Sequence, residues 1–263
     1  MTQRFDLSRN IPRYIAIEGP IGVGKTSLTK RLAESFNYEL LLERSEENPF
    51  LDRFYENSRQ HALSTQLFFL FQRAQQIQEL RQEDLFEPVR VADFLIDKDH
   101  LFALQNLDAD EYELYLKVYK HLIIEAPTPD LVIYLQAPTN ILLDRIQKRG
   151  VKAEQFIELG YLENLNLAYT EFFHYYHKSP LLIVNSAEID LVSNDGDYQQ
   201  LVDYILSHPT GTNYFNPVYV RYDLDGNELS FDFHGSNNEH GLNGITILSN
   251  GHYCVTGPLF PSP

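Results

Sequence analysis

The residues Gly19-Pro20-Ile21-Gly22-Val23-Gly24-Lys25-Thr26 fit the spacing G-x-x-x-x-G-K-[ST]. Glycines let successive backbone N–H groups turn inward around phosphate oxygens, and a helix beginning behind them adds the positive end of its dipole. Lys25 then reaches the terminal phosphates, and Thr26 offers a hydroxyl to a Mg2+ ion that bridges the outer phosphates as one is transferred. Gly19 to Ser27 are therefore the candidate ATP-binding segment, with a ligand-free glycine turn as the alternative reading.

A phosphate cradle serves GTPases, ATPases and kinases alike, so the rest of the site must separate them. No Asn-Lys-x-Asp segment of the kind that reads guanine in GTPases is present. Glu43 follows an apolar run, at a place where a carboxylate can take a proton from an attacking hydroxyl; position alone equally allows it to orient a loop or pair with an arginine. Asp93 ends another such run, where an acid can support Mg2+ beside the phosphates. Gln66 and Arg73 are seven residues apart, so on one helix they share a side about 10 Å apart, either as a solvated stripe or as an amide and a guanidinium turned to a ligand. Arg145 and Arg149, four apart before Gly150, share the face of a last helical turn, where cations also satisfy the macrodipole.

These residues need a scaffold that brings them together. Tyr14 to Ile17 reads as a buried strand ahead of the glycine loop, and Leu28, Leu32 and Phe36 give the segment after it helical spacing. Further short apolar runs at Glu39 to Leu42, Val89 to Ala92, Leu131 to Leu135 and Leu181 to Val184 alternate with helical segments. This pattern predicts a doubly wound α/β fold, with a five-stranded parallel sheet and helices on both faces. Between the second and third runs, Leu63, Leu67, Leu70, Phe71, Ala74, Ile77 and Leu80 recur at helical spacing, predicting a helix over His61 to Arg81 that its own domain or a second subunit must cover. After Pro209 lysine disappears and Asn and Gly rise. Runs at Val218 to Tyr222, Leu229 to Phe233, Ile245 to Leu248 and Tyr253 to Thr256, with Asp225-Gly226 and Asn250-Gly251 as turns, predict a small antiparallel appendage. The expected division is residues 1–208 and 209–263. His234, His240 and His252 are too irregularly spaced to read as metal ligands.

The 263 residues, 43% hydrophobic, suffice for one α/β domain or for a domain plus an appendage, and a net charge of −16 argues against a general nucleic-acid or anionic-membrane binder. The lone Cys254 fits a reducing cytoplasm. The segment from Met1 to Asp6 lacks an apolar core, and no stretch approaches a membrane span, so neither export nor anchoring is expected.

From Tyr14 to about Ser207 the chain resembles the deoxynucleoside kinase family, nearest its bacterial deoxyguanosine and deoxyadenosine kinase branch. It carries IAIEGPIGVGKT, ENPFLDRFYEN, LSTQLFFLFQR, VADF and LVIYLQAPTNILLDRIQKRG in family order and spacing. The resemblance implies a P-loop kinase fold and ATP-dependent phosphorylation of a deoxynucleoside, purine favoured, at its 5′-hydroxyl. It further implies a role in nucleotide salvage, a Mg2+ requirement and a homodimer packed through the His61 to Arg81 helix. It implies Glu43 as general base, catalytic roles for Lys25 and Arg145, and Arg145 and Arg149 as lid arginines over ATP. Gln66 and Arg73 match the positions that hold the base, Tyr55 and Glu154 those that meet the 3′-hydroxyl, and Asp93 the acid of an acid-Arg-Ser sequence. The arginine of that sequence is Phe94 here and the third lid arginine is Val151; Arg44, Arg73 and Lys98 are all open as substitutes. A nucleoside monophosphate kinase and a non-catalytic nucleotide-binding relative are the alternative functions. Among bases, deoxyadenosine, deoxyguanosine and deoxycytidine stay open.

Overall fold

Strand β1, Tyr14–Glu18, is buried along its whole length because each face of the sheet it joins is covered by helices. It sends Ile15 and Ile17 to one face and Tyr14 and Ala16 to the other, the two-residue alternation of a strand. The computed structural model describes residues 11–83, 89–122, 127–207 and 209–215, together with the backbone of strands 218–222, 228–233, 244–247 and 253–256. The segment from Met1 to Asp6, the two proposed turns at Asp225-Gly226 and Asn250-Gly251, and His234, His240 and His252 lie outside the described residues, as do the side chains of Leu80 and Cys254.

Five further strands join β1: β2 (Glu39–Leu41), β3 (Arg90–Ala92), β4 (Leu131–Gln136), β5 (Leu181–Asn185) and β6 (Thr212–Phe215). All are parallel, in the order β2-β3-β1-β4-β5-β6. The sheet thus has one strand more than the apolar runs predict. Strand β6 sits at the edge with Thr212 and Tyr214 exposed and only Phe215 buried, so it lacks the continuous apolar run of a central strand. The texture change at Pro209 therefore precedes the last strand of the sheet.

The helices are α1 (Lys25–Phe36), α2 (Leu51–Glu56), α3 (Ser58–Glu83), α4 (Asp99–Asn106), α5 (Ala109–Leu122), α6 (Thr139–Arg149), α7 (Leu159–His174) and α8 (Asp195–Leu206). On one face of the sheet, Leu28, Leu32 and Phe36 of α1, Leu142 of α6 and Leu201, Val202 and Ile205 of α8 pack on Ile15, Ile17 and Ile133. On the other, Leu165, Tyr169 and Phe173 of α7 and Leu101 of α4 pack on Ala16, Val132 and Tyr134. The long helix α3 runs as its periodicity predicts, with Leu70, Ala74 and Ile77 buried, although Phe71 is 54% exposed. Helix α6 ends on Gly150 in a left-handed conformation, as expected of a helix stop. The last four strands, β7 (Val218–Tyr222), β8 (Glu228–Phe233), β9 (Gly244–Ile247) and β10 (Tyr253–Thr256), form an antiparallel sheet in the order β8-β7-β10-β9.

Because β1 lies between β3 and β4, successive connections leave it in opposite directions, which opens a crevice at the carboxyl ends of the strands. The loops after β1, β2 and β3 all open into it. The glycine loop after β1 is held down by close packing as well as by its turns. A Cβ at Gly22, where φ is +83°, would lie 2.9 Å from both Leu142 O and Ile146 Cγ1 of α6. Gly22→Ala is therefore expected to lower unfolding free energy by about 1–3 kcal/mol, read from urea denaturation, since the overpacked contact is partly backbone and cannot yield. An unchanged midpoint would mean that the loop is free to lift from α6.

Candidate functional site

Glu18, at the carboxyl end of β1, is completely buried, so its carboxyl oxygens need hydrogen-bond partners. Its Oε1 accepts from Gly19 N at 2.9 Å and Tyr169 Oη at 2.9 Å, and its Oε2 from Leu95 N at 2.9 Å. Lys98 Nζ stands 3.2 Å from Oε2 and 3.4 Å from Oε1. One carboxylate thereby ties the first glycine of the loop to the segment after β3, to the approach to α4, and to α7.

A cavity of about 240 Å3 opens above it, lined by the glycine loop, the residues after β2 and β3, α3, α7 and the segment after α6. Lys25, Thr26, Ser27, Glu43, Tyr55, Gln66, Arg73, Asp93, Arg149 and Glu154 all line it. With Ile21, Gly22 and Gly24, thirteen positions assigned from sequence thus meet in one place, with Phe54, Phe69, Phe102 and Tyr161 supplying apolar wall. Lys25 donates to Gly19 O at 2.6 Å and Pro20 O at 3.2 Å, and burial pushes its ammonium below the usual lysine range.

Thr26 Oγ1 donates to Asp93 Oδ2 at 2.6 Å, while Asp93 Oδ1 accepts from Glu43 N at 2.7 Å. Burial pushes the Asp93 carboxyl up, against the pull of these two hydrogen bonds. The hydroxyl and carboxylate are hard oxygen donors side by side, which suits Mg2+, an ion that takes few protein ligands and fills its shell with water and phosphate. Among the described residues no group of three or more His, Cys, Asp or Glu is placed to cage a metal alone.

Glu43 lies two residues past the end of β2, so the chain has already turned into the cavity where it stands. Burial acts to raise its carboxyl, but Lys98, Arg73 and then Lys25 outweigh it and bring it down to about 2. Glu43 is therefore an anion at neutral pH. Arg73 donates one terminal nitrogen to Glu43 and the other to Asp99. Gln66 Nε2 donates to Asp99 O at 3.2 Å and to Asp99 Oδ1 at 3.3 Å. The two residues do share a side of α3, as their spacing predicts, but they are clamped from behind by Asp99. That acid was not visible as part of the site from sequence, because at the first position of α4 it reads as an ordinary complement to the helix dipole. Glu18 was missed for a similar reason: in the sequence it is one polar residue closing an apolar strand.

The lid residues separate. Arg149 Nη2 donates to Glu154 Oε2 at 2.5 Å, and both side chains line the cavity near Tyr55. Arg145 is not brought to Glu43. Its guanidinium donates to Ser186 O at 2.7 Å, Ser186 Oγ at 3.3 Å and Val23 O at 3.4 Å. It lines a second cavity of about 420 Å3 that also touches Gly24 and runs along the 186–192 loop. One turn of α6 thus sends its two arginines to different cavities, which a shared helical face does not reveal.

Asp99 and Arg73 are 0% and 4% exposed, so neither tolerates loss of the other. Asp99→Ala should cost about 3–5 kcal/mol of stability in urea unfolding, the usual penalty for stranding a buried charge. A loss under about 1 kcal/mol would show that water reaches the guanidinium.

The family profile for deoxynucleoside kinase matches residues 15–208. The deoxyguanosine kinase of Bacillus subtilis (strain 168) is 35% identical over 202 residues, which span 74% of this chain and 97% of the relative. The deoxyadenosine kinase of Lactobacillus acidophilus is 30% identical over 196 residues, 69% of this chain and 89% of the relative. Among solved structures, deoxyadenosine kinase from M. mycoides, with the products dCMP and a flexible dCDP bound, superposes with a TM-score of 0.64 at 26% identity. That superposition covers 74% of this chain and 99% of the other. Among the described residues no helix is long and apolar enough to cross a membrane. With the glycine loop, the acid beyond β2 and the clamped amide and guanidinium in one cavity, and with this match along most of its length, the chain belongs to the deoxynucleoside kinase family.

Proposed function

We propose that this chain transfers the γ-phosphoryl group of ATP to the 5′-hydroxyl of a purine deoxynucleoside, giving the 5′-monophosphate for nucleotide salvage in the cytoplasm. The observation that carries this reading is the anionic Glu43 lining the same cavity as Lys25 and the Thr26–Asp93 pair. Glu43 takes the proton as the 5′-oxygen attacks phosphorus; the new oxygen–phosphorus bond forms as the bond to the bridging oxygen breaks, and ADP leaves. Gly19 to Ser27 hold the phosphates, and Lys25 turns from the loop carbonyls to the phosphate oxygens. Thr26 and Asp93 would hold Mg2+, which would supply charge neutralisation at the outer phosphates. Arg149 acts from the lid side of the cavity, and Arg145 belongs to the nucleotide side, beside Val23 and Ser186.

At the base end, Asp99 holds the amide nitrogen of Gln66, and we assign its carbonyl oxygen, with Arg73 alongside, to a donor on the base edge. Tyr55 and Glu154 take the sugar 3′-hydroxyl. The purine preference rests on the two relatives named for deoxyguanosine and deoxyadenosine, beside which another Bacillus subtilis relative is named for deoxyadenosine and deoxycytidine. A nucleoside suits the acceptor end better than a monophosphate, because the charge of its cations is already balanced by carboxylates: Arg73 by Glu43 and Asp99, Lys98 by Glu18 and Glu43. Residues 1–208, completed by β6, form the kinase domain, and the rest of 209–263 takes no assigned part. A homodimer would cover α3, where Phe71 is exposed.

Glu43→Gln keeps the shape and removes the base, so turnover should fall about 10²- to 10⁴-fold while deoxynucleoside affinity stays within a few fold. Steady-state kinetics with deoxyguanosine and deoxyadenosine, run beside their monophosphates, check both the residue and the acceptor. Near-normal turnover would remove Glu43 from the role, and preference for the monophosphates would move the protein to another reaction.

A further inference from the structure

The position where the resemblance expects an arginine after the acid of β3 holds Phe94, which is buried against Ile77 and Ile96 and does not line the cavity. Three cations were open as replacements, and their surroundings differ. Arg44 has a half-exposed side chain, pairs with Glu47, and does not line the cavity. Arg73 has both terminal nitrogens taken by carboxylates.

Lys98 is placed otherwise. It ends the single 3-10 turn Ile96–Lys98, its side chain is 3% exposed, and it lines the cavity beside Lys25, Glu43 and Asp93. An ammonium carries three donors. The Glu18 carboxylate takes its contacts at 3.2 and 3.4 Å. Glu43 Oε1 stands 3.7 Å away, close enough to pair charges and too far for a hydrogen bond. One donor is thus left for an oxygen that sits against both Lys98 and Glu43.

We infer that Lys98 fills the place of the missing arginine as a catalytic residue, donating a hydrogen bond to the 5′-oxygen of the bound deoxynucleoside as that oxygen's proton passes to Glu43. The inference rests on Glu43 being the base. An oxygen held between a cation and an anion is aimed at both ends: the carboxylate fixes its proton, and the ammonium fixes a lone pair and steadies the charge that builds on the oxygen and the incoming phosphoryl group. The ammonium is itself held by Glu18, which also anchors the first glycine of the phosphate loop, so acceptor and donor substrates are referenced to one buried carboxylate.

The test uses the full chain with Mg-ATP. Turnover of 2′-deoxyadenosine and 2′-deoxyguanosine is measured, and calorimetry follows binding of 2′-deoxyadenosine and of 2′,5′-dideoxyadenosine, which lacks the acceptor oxygen. Lys98→Met strands the Glu18 carboxylate, so Glu18→Gln/Lys98→Met, with both members neutral, carries the test if the single variant does not fold. The folded variant should lose about 10²- to 10³-fold in kcat with KM for ATP within a few fold, and Lys98→Arg should recover at least about tenfold of that loss. Affinity for 2′-deoxyadenosine should fall while affinity for the dideoxy analogue holds, a split that a merely structural lysine would not produce. Turnover within about threefold of the parent, or equal loss of affinity for both ligands, overturns the inference. Glu43→Gln run in parallel separates the two ideas: if it loses turnover and the Lys98 variants do not, Lys98 alone is dismissed; if it keeps turnover, the reading of Glu43 fails.

Discussion

Buried charge must be matched, and in this protein the matching forms a chain: Glu18, Lys98, Glu43, Arg73, Asp99, with acids and cations alternating. Four of the five side chains are no more than 4% exposed, and Glu43 is the most open at 20%. Each link comes from a different stretch of chain: β1, the turn before α4, the residues after β2, α3, and the start of α4. Pairing of this kind adds little net stability over an apolar core, but breaking it is expensive, so its main effect is to fix where those stretches stand. The phosphate loop, the acid beyond β2 and the long helix are held in one frame by it.

The same chain sets the electrostatics of the cavity. Glu43 stays ionised although burial alone would favour its neutral form, because cations lie on both sides of it. Asp93, which accepts from the Glu43 N–H, is pushed the other way by burial. Two carboxylates in one site are thus given different characters by their surroundings: cations hold Glu43 down, and burial pushes Asp93 up. The arginines sort likewise, with Arg73 locked between acids and Arg149 pairing with Glu154 across the segment after α6.

The departures from the family pattern also have a physical shape. Phe94 has gone into an apolar cluster under α3. Val151 is 42% exposed, one residue after the glycine that ends α6, and nothing in its surroundings explains the missing third arginine. The antiparallel strands β7 to β10 follow after the matched 15–208 segment ends, and the sheet they form is separate from the one that carries the site.

What the sequence determined by itself was whatever depends on neighbours along the chain. Gly22 and Lys25 could be assigned from spacing because a phosphate loop is built from consecutive backbone groups. Strands β1 to β5 and the long helix could be read because each carries a short apolar run or an apolar stripe along the chain, even β2 at the other edge of the sheet. Strand β6 escaped because an edge strand with exposed Thr212 and Tyr214 leaves no such trace. The resemblance supplied Tyr55 and Glu154, which no local rule would have singled out. Tertiary structure alone decided the rest: that Asp99 clamps Gln66 and Arg73, that Glu18 anchors the glycine loop, that Arg145 and Arg149 part company, and that Lys98 rather than Arg44 stands beside Glu43. Those facts depend on charges 26 to 80 residues apart finding one another in a space with little water, and no local pattern records which partner a buried charge will meet.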